Sequence, residues 1–218
     1  MTSFDTTDDP LRSLLTACGI LAPLAAFIAI AASTWIHRAW FTWANHALSD
    51  LGALGTDHFW IYNVGLLATG TFGILFAARL LDYFRSRISQ AGTIVFSLGM
   101  FSLAMVGAFP GGVQYHMRAT NLFFGLCTIG VLIVGIGESL ERDVLGYALL
   151  VVVAMTGIFA YLTTQWFSGA AIPELVGAIA YTIFSLLYVA RLTGRLPDPD
   201  GRGEPSITEA ATPEQPAE

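Results

Sequence analysis

The chain has 218 residues, of which 55% are hydrophobic and 12% charged, with a mean hydropathy of +0.64 and a formal net charge of −6. A soluble domain carries about twice that charged fraction, so composition argues against a soluble globular protein. It also argues against a nucleic-acid partner, because there is no Lys and the ten basic residues, all Arg, form no cluster.

The charge belongs to the ends. Asp5, Asp8 and Asp9 lie in the first ten residues, and Asp198, Asp200, Glu204, Glu209, Glu214 and Glu218 in the last twenty-one, so nine of the sixteen acids sit in the tails. The first tail, 1–13, is acidic and lacks the basic start and small-residue cleavage site of a signal peptide. A first apolar span covers about 14–35 and includes Pro23, which membrane helices tolerate better than soluble ones. Trp35, Trp40 and Trp43, with His37, Arg38 and Phe41 between them, read as an interfacial belt, with a short helix expected along the membrane surface.

Next comes His46-Ala47-Leu48-Ser49-Asp50-Leu51-Gly52. As an α-helix this segment puts His46, Ser49 and Asp50 at i, i+3 and i+4, on one face, and it reads as a re-entrant or interfacial piece. Gly52 and Gly55 break it, and Thr56 or Asp57 can cap the next helix. Further spans follow at about 58–81, 88–109, 116–137, 144–166 and 173–192. Each approaches the roughly 20 apolar residues that a bilayer crossing needs. Pro110-Gly111-Gly112 makes a turn, and Glu138 to Asp143 a short charged loop. From 195 to 218 Pro, Gly and acids dominate, a composition that does not fold alone. The predicted fold is all-α: one polytopic membrane domain, 14–194, of six transmembrane helices.

Six crossings place both termini on one side. Arg12, Arg79, Arg85, Arg87, Arg142, Arg191, Arg195 and Arg202 fall on that side, and only Arg38 and Arg118 on the other. By the positive-inside rule both termini are expected in the cytoplasm, with the protein in the cell membrane. All four His then lie at the outer end. Cys18 and Cys127 each fall inside an apolar run and read as small buried hydrophobes. The spacings Gly65/Gly70/Gly73 and Gly130/Gly135/Gly137 read as close helix packing.

The segment Asn45-His46-Ala47-Leu48-Ser49-Asp50-Leu51-Gly52, the Phe109-Pro110 turn after span three and His116 opening span four resemble the six-span membrane family catalogued as domain of unknown function 998. The resemblance covers roughly 14–192 and implies an architecture without an activity. Its members often carry a Glu-Arg pair opening span six, whereas Glu174 is followed here by Leu175.

An ionised carboxylate inside a membrane is costly unless paired, so Asp50 is expected to find His46, His116 or Arg118. His46, Asp50, His116 and Glu174 together supply imidazole and carboxylate ligands suited to Zn²⁺ or another divalent metal. Ser49 and Asp50 are the candidate catalytic residues beside a metal-bound water, whose pKa a metal lowers to about 7. On this reading the chain hydrolyses a lipid ester or amide at the outer leaflet. Two other readings stand beside it. A non-catalytic lipid-binding, sensor or scaffold protein needs only a polar pocket and packing. A small transporter would want polar residues near the bilayer midplane, where this chain has almost no charge.

Overall fold

The structure is a computed structural model that describes residues 9–198. Six helices run through it: α1 (Pro10–Ile36), α2 (Phe59–Tyr83), α3 (Arg87–Ala108), α4 (His116–Leu140), α5 (Val144–Trp166) and α6 (Ala171–Leu192). All six are long and apolar enough to cross a membrane, so the chain is an all-α, multi-pass membrane protein. Most of the two acidic tails lies outside the described residues. Where the first tail is described, α1 starts a turn earlier than its apolar run. Pro10 occupies the first helical position, where a missing N–H is harmless, and the Asp9 carboxylate accepts the Leu11 N–H at 3.0 Å.

Consecutive helices lie side by side, and α6 returns against α1 to close a ring. That closure depends on the Pro in α1. Pro23 has no N–H to give the Gly19 carbonyl one turn back, and the Ser185 hydroxyl of α6 donates to that carbonyl instead, at 2.7 Å in a buried setting. A polar group stranded by sequence thereby becomes an interhelical tie. The tightest approach is between α3 and α4. A Cβ on Gly92 would lie 2.7 Å from the Val134 nitrogen, and one on Gly130 would lie 2.6 Å from the Phe96 nitrogen. Backbone meets backbone there, as the small-residue spacing implied. By contrast α5 rests on α4 and α6 and is the least buried helix. Cys18 and Cys127 are free and buried, as read from the sequence.

The end of the bundle that carries the described chain ends holds a polar core that hydropathy hid. Glu138, read as part of a charged loop, lies in α4, which continues to Leu140. It is 0% exposed and accepts the Ser89 hydroxyl of α3 at 2.7 Å. Asp143 caps α5 by accepting the Leu145 N–H at 2.9 Å. Its carboxylate also forms a two-pronged pair with Arg191 near the end of α6, one prong at 3.0 Å, with both residues buried.

Candidate functional site

The opposite end is built by the long connection between α1 and α2. No surface helix forms there. Turns run from His37 to Asn45, and the helical piece that follows is one short 3-10 segment, Leu48–Gly52. His46 therefore lies outside it, and His46, Ser49 and Asp50 do not share an α-helical face. The local backbone decides this. The Asp50 carboxylate turns back to accept the Ala47 N–H at 2.9 Å, the competition from nearby donors that short polar side chains offer. Asp50 thus takes a backbone amide rather than His46, His116 or Arg118 as its hydrogen-bond partner. The His46 Nδ1 faces the Thr42 amide and hydroxyl, both at 3.2 Å, and its ring packs against Trp40 and Phe41. Neither Thr56 nor Asp57 caps α2. His58 stands there in the left-handed region, at φ 55°, with no side-chain cap.

Three neighbours hold the 3-10 segment. From α2, the Asn63 amide donates to the Gly52 carbonyl at 2.9 Å in a buried setting. From the α3–α4 turn, Gly111 donates to Gly52 at 3.3 Å and accepts from Leu54 at 2.9 Å. From α6, Glu174 reaches back 126 residues and accepts the Leu48 N–H at 2.6 Å. The loop before α6 adds a strap: Gly169 donates to Ala44 and Ala171 to His46, each at 2.9 Å. Gly169 sits so close that a Cβ would lie 2.4 Å from the His46 nitrogen and oxygen. Leu48 and Leu51, 2% and 0% exposed, plug the interior below.

Two of the histidines are structural and far more buried than an interfacial reading implies. His37 has its Nδ1 2.8 Å from the Ser33 carbonyl and its Nε2 2.7 Å from that of Asp57. His116 opens α4 with its Nδ1 2.7 Å from the Phe109 carbonyl, while its Nε2 is buried without a protein partner. Among the described residues no group of three or more His, Cys, Asp or Glu side chains is arranged to hold a metal ion. His46, Asp50, His116 and Glu174 each hold a different hydrogen-bond partner, with Asp50 and Glu174 accepting from the adjacent amides of Ala47 and Leu48.

What does converge is Glu174 with two hollows. The central one, about 90 Å³, is lined by α1, α2, α3, α4 and α6 and is overwhelmingly apolar, with Ser49 and Glu174 contributing to its wall. The second, about 380 Å³, lies between α4, α5 and α6. Glu174, Thr120, Phe124 and Tyr181 line both. A carboxylate in the first turn of α6 is favoured by the helix dipole, and here it also lines both hollows. Tyr62, Thr120 and Tyr181 were missed because each is a single polar tip in an apolar run. An intramembrane polar group is the one signal that marks them.

A family model described as a protein of unknown function, DUF998, matches residues 20–191. No curated protein and no solved structure matches the chain.

Proposed function

The chain belongs to the DUF998 family, and from that premise we propose that it is a lipid-binding membrane protein whose central hollow takes the end of an acyl chain. The observation that carries this reading is the hollow itself: an apolar space inside the ring, whose one carboxylate is that of Glu174. An apolar pocket with few convergent polar groups is the usual form of a small-molecule site. The ligand that matches is an amphiphile whose tail lies among Ala26, Leu66, Met100 and Leu103. Its head supplies N–H, O–H or ammonium donors to Glu174 and Ser49. Asp50 braces the 3-10 segment that presents Ser49, and His116 braces the adjoining turn. Hydrolysis would need a nucleophile activated by a base or a metal, and among the described residues no three of these side chains are placed to hold a metal ion.

Purified protein is expected to retain about one lipid per chain, seen by native mass spectrometry from mild detergent. A charge-assisted hydrogen bond contributes roughly 1.5–3 kcal/mol, so Glu174→Gln should weaken retention by about tenfold or more. Ala26→Phe, which fills the hollow, should abolish it. Equal lipid content in all three proteins would sink the proposal.

The same reading includes orientation. Among the described residues, Arg12, Arg79, Arg85, Arg87, Arg142, Arg191 and Arg195 belong to the end with the chain termini, and Arg38 and Arg118 to the end with Glu174. The positive-inside rule then puts both termini in the cytoplasm and the site toward the outer leaflet of the cell membrane. Cys18 and Cys127 are buried, so introduced cysteines report cleanly. Gln114→Cys is expected to react with an impermeant maleimide in intact cells, and Glu141→Cys only after permeabilisation. The reverse pattern would invert the assignment.

A further inference from the structure

The hollow between α4, α5 and α6 has features that the central one does not explain. On α5 the residues facing it include Val153, Thr156, Gly157 and Ala160, spaced i, i+3, i+4 and i+7, which is one helical face. Three of these four are small, and a Cβ added to Gly157 would meet nothing within 4 Å. Side-chain volume is missing where a packed helix interface would have it, and α5 is the helix with the least burial. The opening therefore lies in the wall that faces the bilayer.

Only a thin partition separates it from the central hollow. Phe124 on α4 and Tyr181 on α6 line both spaces. The Tyr181 hydroxyl lies 2.8 Å from the Thr128 hydroxyl and donates to the Phe124 carbonyl at 3.0 Å. The Phe124 ring fits over Gly177, where a Cβ would come within 2.8 Å of it. Two aromatic rings, one held by hydrogen bonds to the opposite helix and the other seated on a glycine, can move without breaking a helix. Exposed or partly exposed aromatic rotamers change on a timescale far shorter than exchange of a bound lipid.

We propose that the α4–α5–α6 crevice is a lateral doorway through which the end of an acyl chain of a bilayer lipid passes into the central hollow, with Phe124 and Tyr181 as its gate. This rests on the central hollow being the lipid site. The occupant is a bilayer lipid because the crevice opens between membrane-spanning helices. Its strongest polar groups, Glu174 and Asn121, lie near one end, and deeper in only the hydroxyls of Thr128 and Thr156 stand among Val131, Val152 and Val153, which suits a lipid whose head stays at the surface.

The full-length protein, reconstituted in phosphatidylcholine nanodiscs, would be exposed to a phosphatidylcholine carrying a diazirine on one acyl chain. It would then be photolysed, and the adducts mapped by peptide mass spectrometry. In the wild type, adducts are expected both on the α5 face around Thr156 and inside the ring around Met100 and Leu103. Gly157→Trp, or Ala160→Phe if the first variant folds poorly, should cut the inner adducts at early times by about tenfold. Tyr181→Phe, which removes the hydroxyl latch and keeps the ring, should raise their rate of appearance several-fold. Inner adducts that form at the wild-type rate in both crevice variants would overturn the doorway alone. Inner adducts absent from every protein, Tyr181→Phe included, would overturn the lipid reading of the central hollow and the doorway with it.

Discussion

Asp143→Ala is expected to lower the stability of the detergent-solubilised protein by about 3–5 kcal/mol, the cost of stranding one member of a buried ion pair. The Arg191 guanidinium would be left 5% exposed and without its carboxylate. The α5 N-terminus would also lose the side chain that accepts the Leu145 N–H, and loss of such a cap costs about 1 kcal/mol. Arg191→Ala should cost a similar amount from the other side. The double variant Asp143→Leu with Arg191→Met should be milder than either single change, because neither member of the pair is then buried without the other. Thermal melts of the four proteins, followed by tryptophan fluorescence, make the comparison. Single variants that melt with the wild type would mean that this end of α5 and α6 is not held by the pair. The position matters for the candidate site as well. Both helices run from this pair to the crevice, so losing it should loosen the wall that faces the bilayer.

Gly130→Val should be nearly as damaging, for a different reason. In a bilayer there is no hydrophobic drive to press helices together, and close van der Waals contact does much of the work. A side chain at position 130 would start 2.6 Å from the Phe96 nitrogen and 2.8 Å from the Gly92 oxygen. Those are backbone atoms, so a rotamer change cannot relieve the contact and α3 and α4 must separate. A loss of about 3 kcal/mol, the upper end of overpacking costs, is expected. Gly125 on the same helix meets nothing within 4 Å. Gly125→Ala should therefore be neutral, or stabilising by up to about 1 kcal/mol through helix propensity. Equal melting of Gly130→Val and Gly125→Ala would contradict the close α3–α4 approach.

Six apolar helices, buried cysteines and glycine-mediated packing are all legible in the chain. Each depends on a property counted over a window, and a window of roughly 20 apolar residues means much the same wherever it occurs. Ends are less legible, because a cap or a single Pro acts over one turn. Asp9 and Pro10 extend α1 beyond its apolar run, and Glu138, charged yet wholly buried, belongs to a helix that composition alone would stop earlier. The histidines and Asp50 show the same limit at the other end. Residue type marks them as candidates for one site, yet a polar side chain takes the nearest well-aligned partner. For Asp50 that is the Ala47 amide, and for His116 the Phe109 carbonyl. Neither partner can be inferred from side-chain chemistry, because every residue but Pro offers the same amide and carbonyl. Glu174 is the exception that tertiary packing singles out. Its place in the first turn of α6 is local, but its reach to Leu48 and its facing of two hollows exist only once the ring has closed. Composition thus marks this chain as a multi-pass membrane protein, with six helices among the described residues long and apolar enough to cross. Which of its few polar groups faces empty space is decided by how the six helices meet.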